Sequence, residues 1–134
     1  MRRAFLIFLL TLPGLSACSR DGDLPEPYRR LEVPAGLLGS AEAREKGRRL
    51  FLGSCALCHG ENADGRGVRR EGLSVPPRDF TNPSWRRATS PRHVFFAIRE
   101  GRPGTPMPGW KSFTDEETWD LVAFVLSEAP APGR

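Results

Sequence analysis

The pentapeptide Cys55-Ala56-Leu57-Cys58-His59 restricts this chain more than any other stretch. It has the form C-x-x-C-H, two thiols three positions apart with an imidazole directly after the second. Two such sulfurs can each form a thioether to one edge of a porphyrin, and the adjacent imidazole then falls beneath the iron as proximal ligand. Other uses of a C-x-x-C pair fit less well. Structural zinc takes four ligands, and the chain has one further cysteine, Cys18, and one further histidine, His93, far apart in sequence. A thioredoxin-type dithiol sits beside a βαβ pattern, which is not visible here. The pattern predicts one covalently attached haem c, held by Cys55 and Cys58, with His59 on the iron.

The chain opens with Met1-Arg2-Arg3, continues through the apolar run from Ala4 to Leu12, and breaks at Pro13-Gly14. A short cationic start and an apolar run too short to span a bilayer predict a signal peptide over 1–17. The following Leu15-Ser16-Ala17-Cys18 resembles the lipobox of bacterial lipoproteins. That resemblance implies cleavage before Cys18, lipidation of Cys18, and anchoring at the periplasmic face of a bacterial membrane, inner or outer. The competing reading is an ordinary cleavage after Ala17 that leaves a free thiol at Cys18. An exposed thiol in an oxidising compartment is a liability, which favours the lipid. With Cys18 lipidated and Cys55 and Cys58 on haem, no cysteine remains for a disulfide. Residues 18–39 mix prolines with charges and show no sustained periodicity, so they read as a lipid-anchored tether. Leu31, Val33, Leu37 and Leu38 leave a second reading open, an extension packed along the domain.

Helical signals begin at Ser40, a plausible N-cap, and continue over good helix formers to Gly53 with Gly47, Leu50 and Phe51 on one face. The stretch from Gly60 to Gly67 is dense in turn formers, and Pro76-Pro77 keeps the next segment irregular. Ser90-Pro91 opens a helix that stops at Gly101. From Gly101 to Trp110, three prolines and three glycines make a stiff loop around Met107. The capping box Thr114-x-x-Glu117 opens a last helix through about Ser127, with Trp119, Leu121, Val122, Phe124 and Val125 as its apolar positions.

A helix leading into C-x-x-C-H, a proline-bounded methionine and a C-terminal amphipathic helix together resemble a class I cytochrome c over 40–129, with a short tail at 130–134. The stretch Pro76-Pro77-Arg78-Asp79-Phe80-Thr81 and the run from Gly101 through Pro108 are similar to small bacterial members found as subunits of respiratory complexes. The resemblance implies an all-α fold, three or more helices around a haem, in which Gly47 and Phe51 of the first helix cross Leu121 and Phe124 of the last. It implies Met107 as distal ligand, a ligand type that raises the potential relative to a bis-His site. It also implies that a proline carbonyl, that of Pro76 or Pro77, orients His59, a role that ligating imidazoles generally require. Arg78, Trp85, Arg102 and Trp110 are candidate donors to the haem propionates. His93, in the first turn of its helix, reads as an ordinary half-exposed histidine.

Charge is unevenly distributed. Residues 66–111 carry ten basic and three acidic groups, a net of +7, while 112–134 carry −4. In the fold that the resemblance implies, the first segment wraps the haem, so a positive collar would steer a redox protein with an acidic docking surface. Export and a lipid anchor argue against nucleic acid as a partner, whatever the net charge. The function expected is one-electron transfer between respiratory partners, by a free-standing carrier or a non-catalytic subunit of an oxidoreductase. The alternative is a haem-based small-ligand sensor with a labile Met107. A domain of about 90 residues without disulfides is near the lower limit for an independent core, so the haem itself must complete that core. Protein produced without haem attachment should therefore be largely unfolded at room temperature, with circular dichroism showing no cooperative thermal transition.

Overall fold

The computed structural model describes residues 21–130; the expected signal peptide, Cys18 and residues 131–134 lie outside them. Helix α1 (Ala41–Ser54) starts where Ser40 Oγ accepts the Ala43 N–H at 3.1 Å. One more turn, α2 (Ala56–His59), carries the haem motif, with Cys55 at the junction. Helix α3 (Pro83–Ala88) follows an irregular stretch, α4 (Pro91–Glu100) comes next, and α5 (Asp115–Ser127) ends the described fold. Two single 3-10 turns, Tyr28–Arg30 and Leu37–Gly39, precede α1. Among the described residues the regular structure is all helical, as the all-α expectation requires. None of these helices is long and apolar enough to cross a membrane.

Helix α5 is the centre of the packing. Every residue from Thr118 to Leu126 is buried, so this helix is covered on all sides. Its start is set by the expected capping box: Thr114 Oγ1 accepts the Glu117 N–H at 3.1 Å, and the Glu117 carboxylate accepts the Thr114 N–H at 2.8 Å. At its other end, Arg86 of α3 reaches in and donates from Nε to the Leu126 carbonyl at 3.0 Å, placing a cation where the helix leaves carbonyls unpaired.

Helix α1 crosses α5 at Gly47. A Cβ at this position would lie 2.0 Å from the Asp120 carbonyl oxygen and 2.9 Å from the Phe124 Cβ, so no side chain fits. Next to the crossing, the Phe51 and Phe124 rings pack with centroids 5.0 Å apart. Helix α4 buries Val94, Phe95 and Ile98. Its Phe95 ring lies 4.5 Å from that of Trp119 on α5.

Helix α3 is a six-residue element that periodicity could not reveal. Its signal is local: the Asn82 side chain accepts the Ser84 N–H at 2.8 Å, and Pro83 occupies the first turn.

The segment expected as a free tether is, from Asp21 onward, packed on the domain. Leu24 and Leu37 are buried, and Tyr28, Leu31 and Val33 lie against the core. Polar contacts hold it as well. The Asp21 carboxylate accepts from Ser90 Oγ and, at 2.9 Å, from Arg92 Nη1 of α4, and Arg92 Nε donates to the Leu31 carbonyl at 2.7 Å. Apolar residues spaced through a proline-rich stretch found a surface, which composition alone could not show.

Replacing Gly47 by Ala should destabilise the holoprotein by about 1–3 kcal/mol in thermal or denaturant unfolding. This is the net loss, after the roughly 1 kcal/mol that Ala gains over Gly in helix propensity.

Candidate haem site

Helix α2 is too short to satisfy its own carbonyls, and the loop after it does so instead. Gly65 N–H donates to the His59 carbonyl at 2.7 Å, Gly67 N–H to that of Cys58 at 3.1 Å, and Arg69 N–H to that of Leu57 at 2.8 Å. The loop therefore lies flat on the backbone of the motif. At Gly67 a Cβ would meet the Leu57 carbonyl oxygen at 2.3 Å, which only glycine avoids.

His59 is buried within this frame. Its Nδ1 lies 3.1 Å from the Arg78 carbonyl oxygen. A carbonyl only accepts, so Nδ1 carries the proton and Nε2 keeps its lone pair for a metal. The orienting acceptor is thus the residue after the two prolines, a correction to the expectation of Pro76 or Pro77. Burial lowers the His59 pKa, opposed by the hydrogen bond to Arg78, so the ring stays neutral as a ligand must. The Phe80 ring stacks on the imidazole at 4.6 Å and 21°. Sequence patterns do not single out Phe80 as a site residue; its place two residues after Arg78 is the available signal.

The Met107 loop returns to the end of α4. Arg102 N–H donates to the Met107 carbonyl at 3.2 Å, and Trp110 N–H to that of Ile98 at 2.8 Å. Gly101, at φ +76°, permits this approach: a Cβ there would lie 2.7 Å from the Met107 carbonyl oxygen. Thr105 Oγ1 accepts the Met107 N–H at 3.3 Å.

Between these parts lies a cavity of about 620 Å³. Cys55, Cys58, His59 and Met107 all line it. Pro76, Pro77, Arg78, Trp85, Arg102 and Trp110 line it too, so every candidate around the haem has been brought to one place. Trp85 packs at 5.0 Å on Phe80, and Trp110 stacks at 5.5 Å on Phe113. His93, half-exposed, faces the same cavity from α4. Burial, with the neighbouring Cys58, pushes the Cys55 thiol up to about 12. Among the described residues no group of three or more His, Cys, Asp or Glu side chains could hold a bare metal ion. Paired thiols, a neutral imidazole with a free nitrogen, and a thioether around one apolar-walled space are the donor set of a covalently bound haem.

Residues 42–125 match the family described as cytochrome C oxidase, cbb3-type, subunit III. The chain belongs to this family of c-type cytochromes. This cytochrome is 33% identical over 116 residues to the cbb3-type cytochrome c oxidase subunit CcoP of Azospirillum brasilense, covering 82% of its own length and 38% of that relative. It is also 33% identical over 87 residues to cytochrome c55X of Stutzerimonas stutzeri, covering 62% of itself and 66% of that protein. It thus spans less than two thirds of either relative. Among solved structures it resembles a chain of the Kuenenia stuttgartiensis reducing HAO-like protein complex, with TM-score 0.63 and 26% identity over 75% of this chain and 50% of that one. It also resembles the KustC0563 c-type cytochrome, with TM-score 0.53 and 33% identity over 63% of this chain and 98% of that one.

The cofactor is haem c, covalently bound. Cys55 and Cys58 are the residues that would hold its thioethers, and His59 and Met107 those that would ligate its iron. Haem supplies a metal that changes oxidation state by one electron; the protein supplies ligands, burial and field. Replacing Met107 by Ala should open one axial position. Carbon monoxide should then shift the spectrum of the reduced variant rapidly and leave wild type unchanged, and the midpoint potential should fall. A variant with the wild-type response would exclude Met107 as ligand.

Proposed function

We propose that this cytochrome is an exported, lipid-anchored, one-electron carrier that passes electrons between respiratory redox proteins, alone or as an electron-transfer subunit of a larger oxidoreductase. The observation that carries this reading is that His59 and Met107 line one cavity, which provides a residue for each axial position of the iron. With both positions taken, no substrate reaches the metal, so the chain has no catalytic role of its own. Electrons enter and leave through the haem edge. The sequence pattern of 1–17 followed by Cys18 supports cleavage, acylation and a place on the periplasmic face of a membrane. Names among the relatives, an oxidase subunit and a protein complex, support a partner assembly.

Docking would use a smaller basic surface than the charge count suggests. Four of the ten basic side chains between 66 and 111 serve the fold. Arg86 binds the Leu126 carbonyl, Arg92 binds Asp21, Arg99 binds the Phe113 carbonyl and Asp115, and Lys111 binds Glu100. Arg66, Arg69 and Arg70 remain exposed on the loop over the haem motif. Beside them Leu57 and Val68 are 48% and 84% exposed. Arginines around exposed apolar side chains suit an acidic redox protein that must dock briefly and leave.

Electron exchange with an acidic redox protein should slow as ionic strength rises through about 0.1 M, where the screening length is about 10 Å. Reversing Arg66, Arg69 and Arg70 to Glu should lower the association rate by about tenfold or more at low salt in stopped-flow mixing. A rate indifferent to both changes would remove this docking surface.

A further inference from the structure

The segment before α1 lies outside the part of the chain that matches the family, which begins at residue 42. It nevertheless supplies wall to the haem cavity. Asp23 and Leu24 line that space together with His93, Val94, Phe96 and Ala97 of α4. Leu24 is only 3% exposed although exposed residues flank it on both sides, so its side chain is turned into the protein.

A clasp holds Leu24 from both directions. On one side is the polar cluster at the start of α4. The Ser90 hydroxyl donates to the Asp21 carboxylate while accepting the His93 N–H at 3.2 Å, and Arg92 Nη1 reaches the other Asp21 oxygen at 2.9 Å. The His93 ring lies between the segment's two carboxylates, 3.3 Å from Asp21 and 2.9 Å from Asp23. Burial raises the Asp21 carboxyl, but the hydrogen bonds from Ser90 and Arg92 outweigh it and bring the pKa below its usual value, so the clasp is ionised at neutral pH. On the other side Tyr28 rests edge-on against Phe96 at 4.9 Å and donates its hydroxyl to Glu100 at 2.5 Å. Burial and that hydrogen bond push the Tyr28 phenol up to about 12.

We propose that residues 21–31 form a strap that completes the haem pocket and keeps water from the haem on that side, so that Leu24 is a positioning residue for the reduction potential. This inference rests on the haem reading of the cavity. Ferric haem carries one more positive charge than ferrous haem, so water admitted beside it stabilises the oxidised state and lowers the potential; burial is one of the protein's levers on a haem. Of the two carboxylates brought in by the strap, Asp21 is paired with the Arg92 guanidinium, which limits the charge it presents to the cavity, and Asp23 lies 2.9 Å from the His93 ring. Leu24 supplies an apolar wall with no charge of its own.

Redox titration of the full-length holoprotein tests this with two uncharged substitutions, Leu24→Ala and Tyr28→Ala, which alter solvent access without adding or removing a formal charge at neutral pH. Tyr28 does not line the cavity and acts only through the clasp. The expected result is a midpoint potential below wild type in Leu24→Ala, and a smaller fall in the same direction in Tyr28→Ala, each at full haem content. A wild-type or higher potential in Leu24→Ala overturns the proposal; where that variant does not retain haem, Tyr28→Ala decides by the same criterion. The wild-type protein is the control for the underlying reading: a preparation without a haem absorption band fails that reading, whereas unmoved variants of a normal haem protein fail only the strap.

Discussion

The contact on which the rest depends is the approach of α1 to the backbone of α5 at Gly47, where even a methyl group would overlap the Asp120 carbonyl. Helix α1 ends at the haem motif, and α5 contributes Leu121 and Val125 to the cavity wall. The distance between these helices therefore sets where the two thiols and the imidazole stand relative to the opposite wall. Steric exclusion is a sharper determinant than attraction here, because backbone atoms cannot yield as a flexible side chain can. Phe51 and Phe124 pack beside the crossing, and Phe51 lines the cavity itself.

From that crossing outward, the site is built mostly from backbone groups. The carbonyls of Leu57, Cys58 and His59 are taken by the loop that follows them, and the carbonyl of Arg78 holds the imidazole. The Met107 loop is likewise tied to α4 through main-chain bonds. Such bonds cost little side-chain entropy, and the prolines and glycines in both loops have few conformations to lose or accept ones that other residues avoid. A redox site benefits from this stiffness, since electron transfer is fast when the ligands stay in place as the charge on the metal changes.

Charge followed a different logic. A net of +7 over residues 66–111 reads as a single basic surface when taken along the chain. In three dimensions Arg86 closes the end of α5, and Arg92 holds the N-terminal segment. Both are guanidinium groups that bridge elements distant in sequence, a use for which their several donors suit them. Arg66, Arg69 and Arg70 remain exposed on the loop over the haem motif.

The cofactor was legible from residue order. C-x-x-C-H, the proline-bounded Met107, and the caps at Ser40, Ser90 and Thr114 are local patterns, and local patterns report bonds made within a few residues. That Gly47 and Phe51 cross the last helix was implied by the resemblance to class I cytochromes c, and the packing shows it at Asp120 and Phe124. Only the folded chain decided which carbonyl orients His59, because Pro76, Pro77 and Arg78 are adjacent and the choice depends on how the loop lies across α2. It also decided that the segment from Asp21 is held down, through contacts between residues some seventy positions apart. Order along the chain specifies which groups are present; their long-range pairing is a property of the packing.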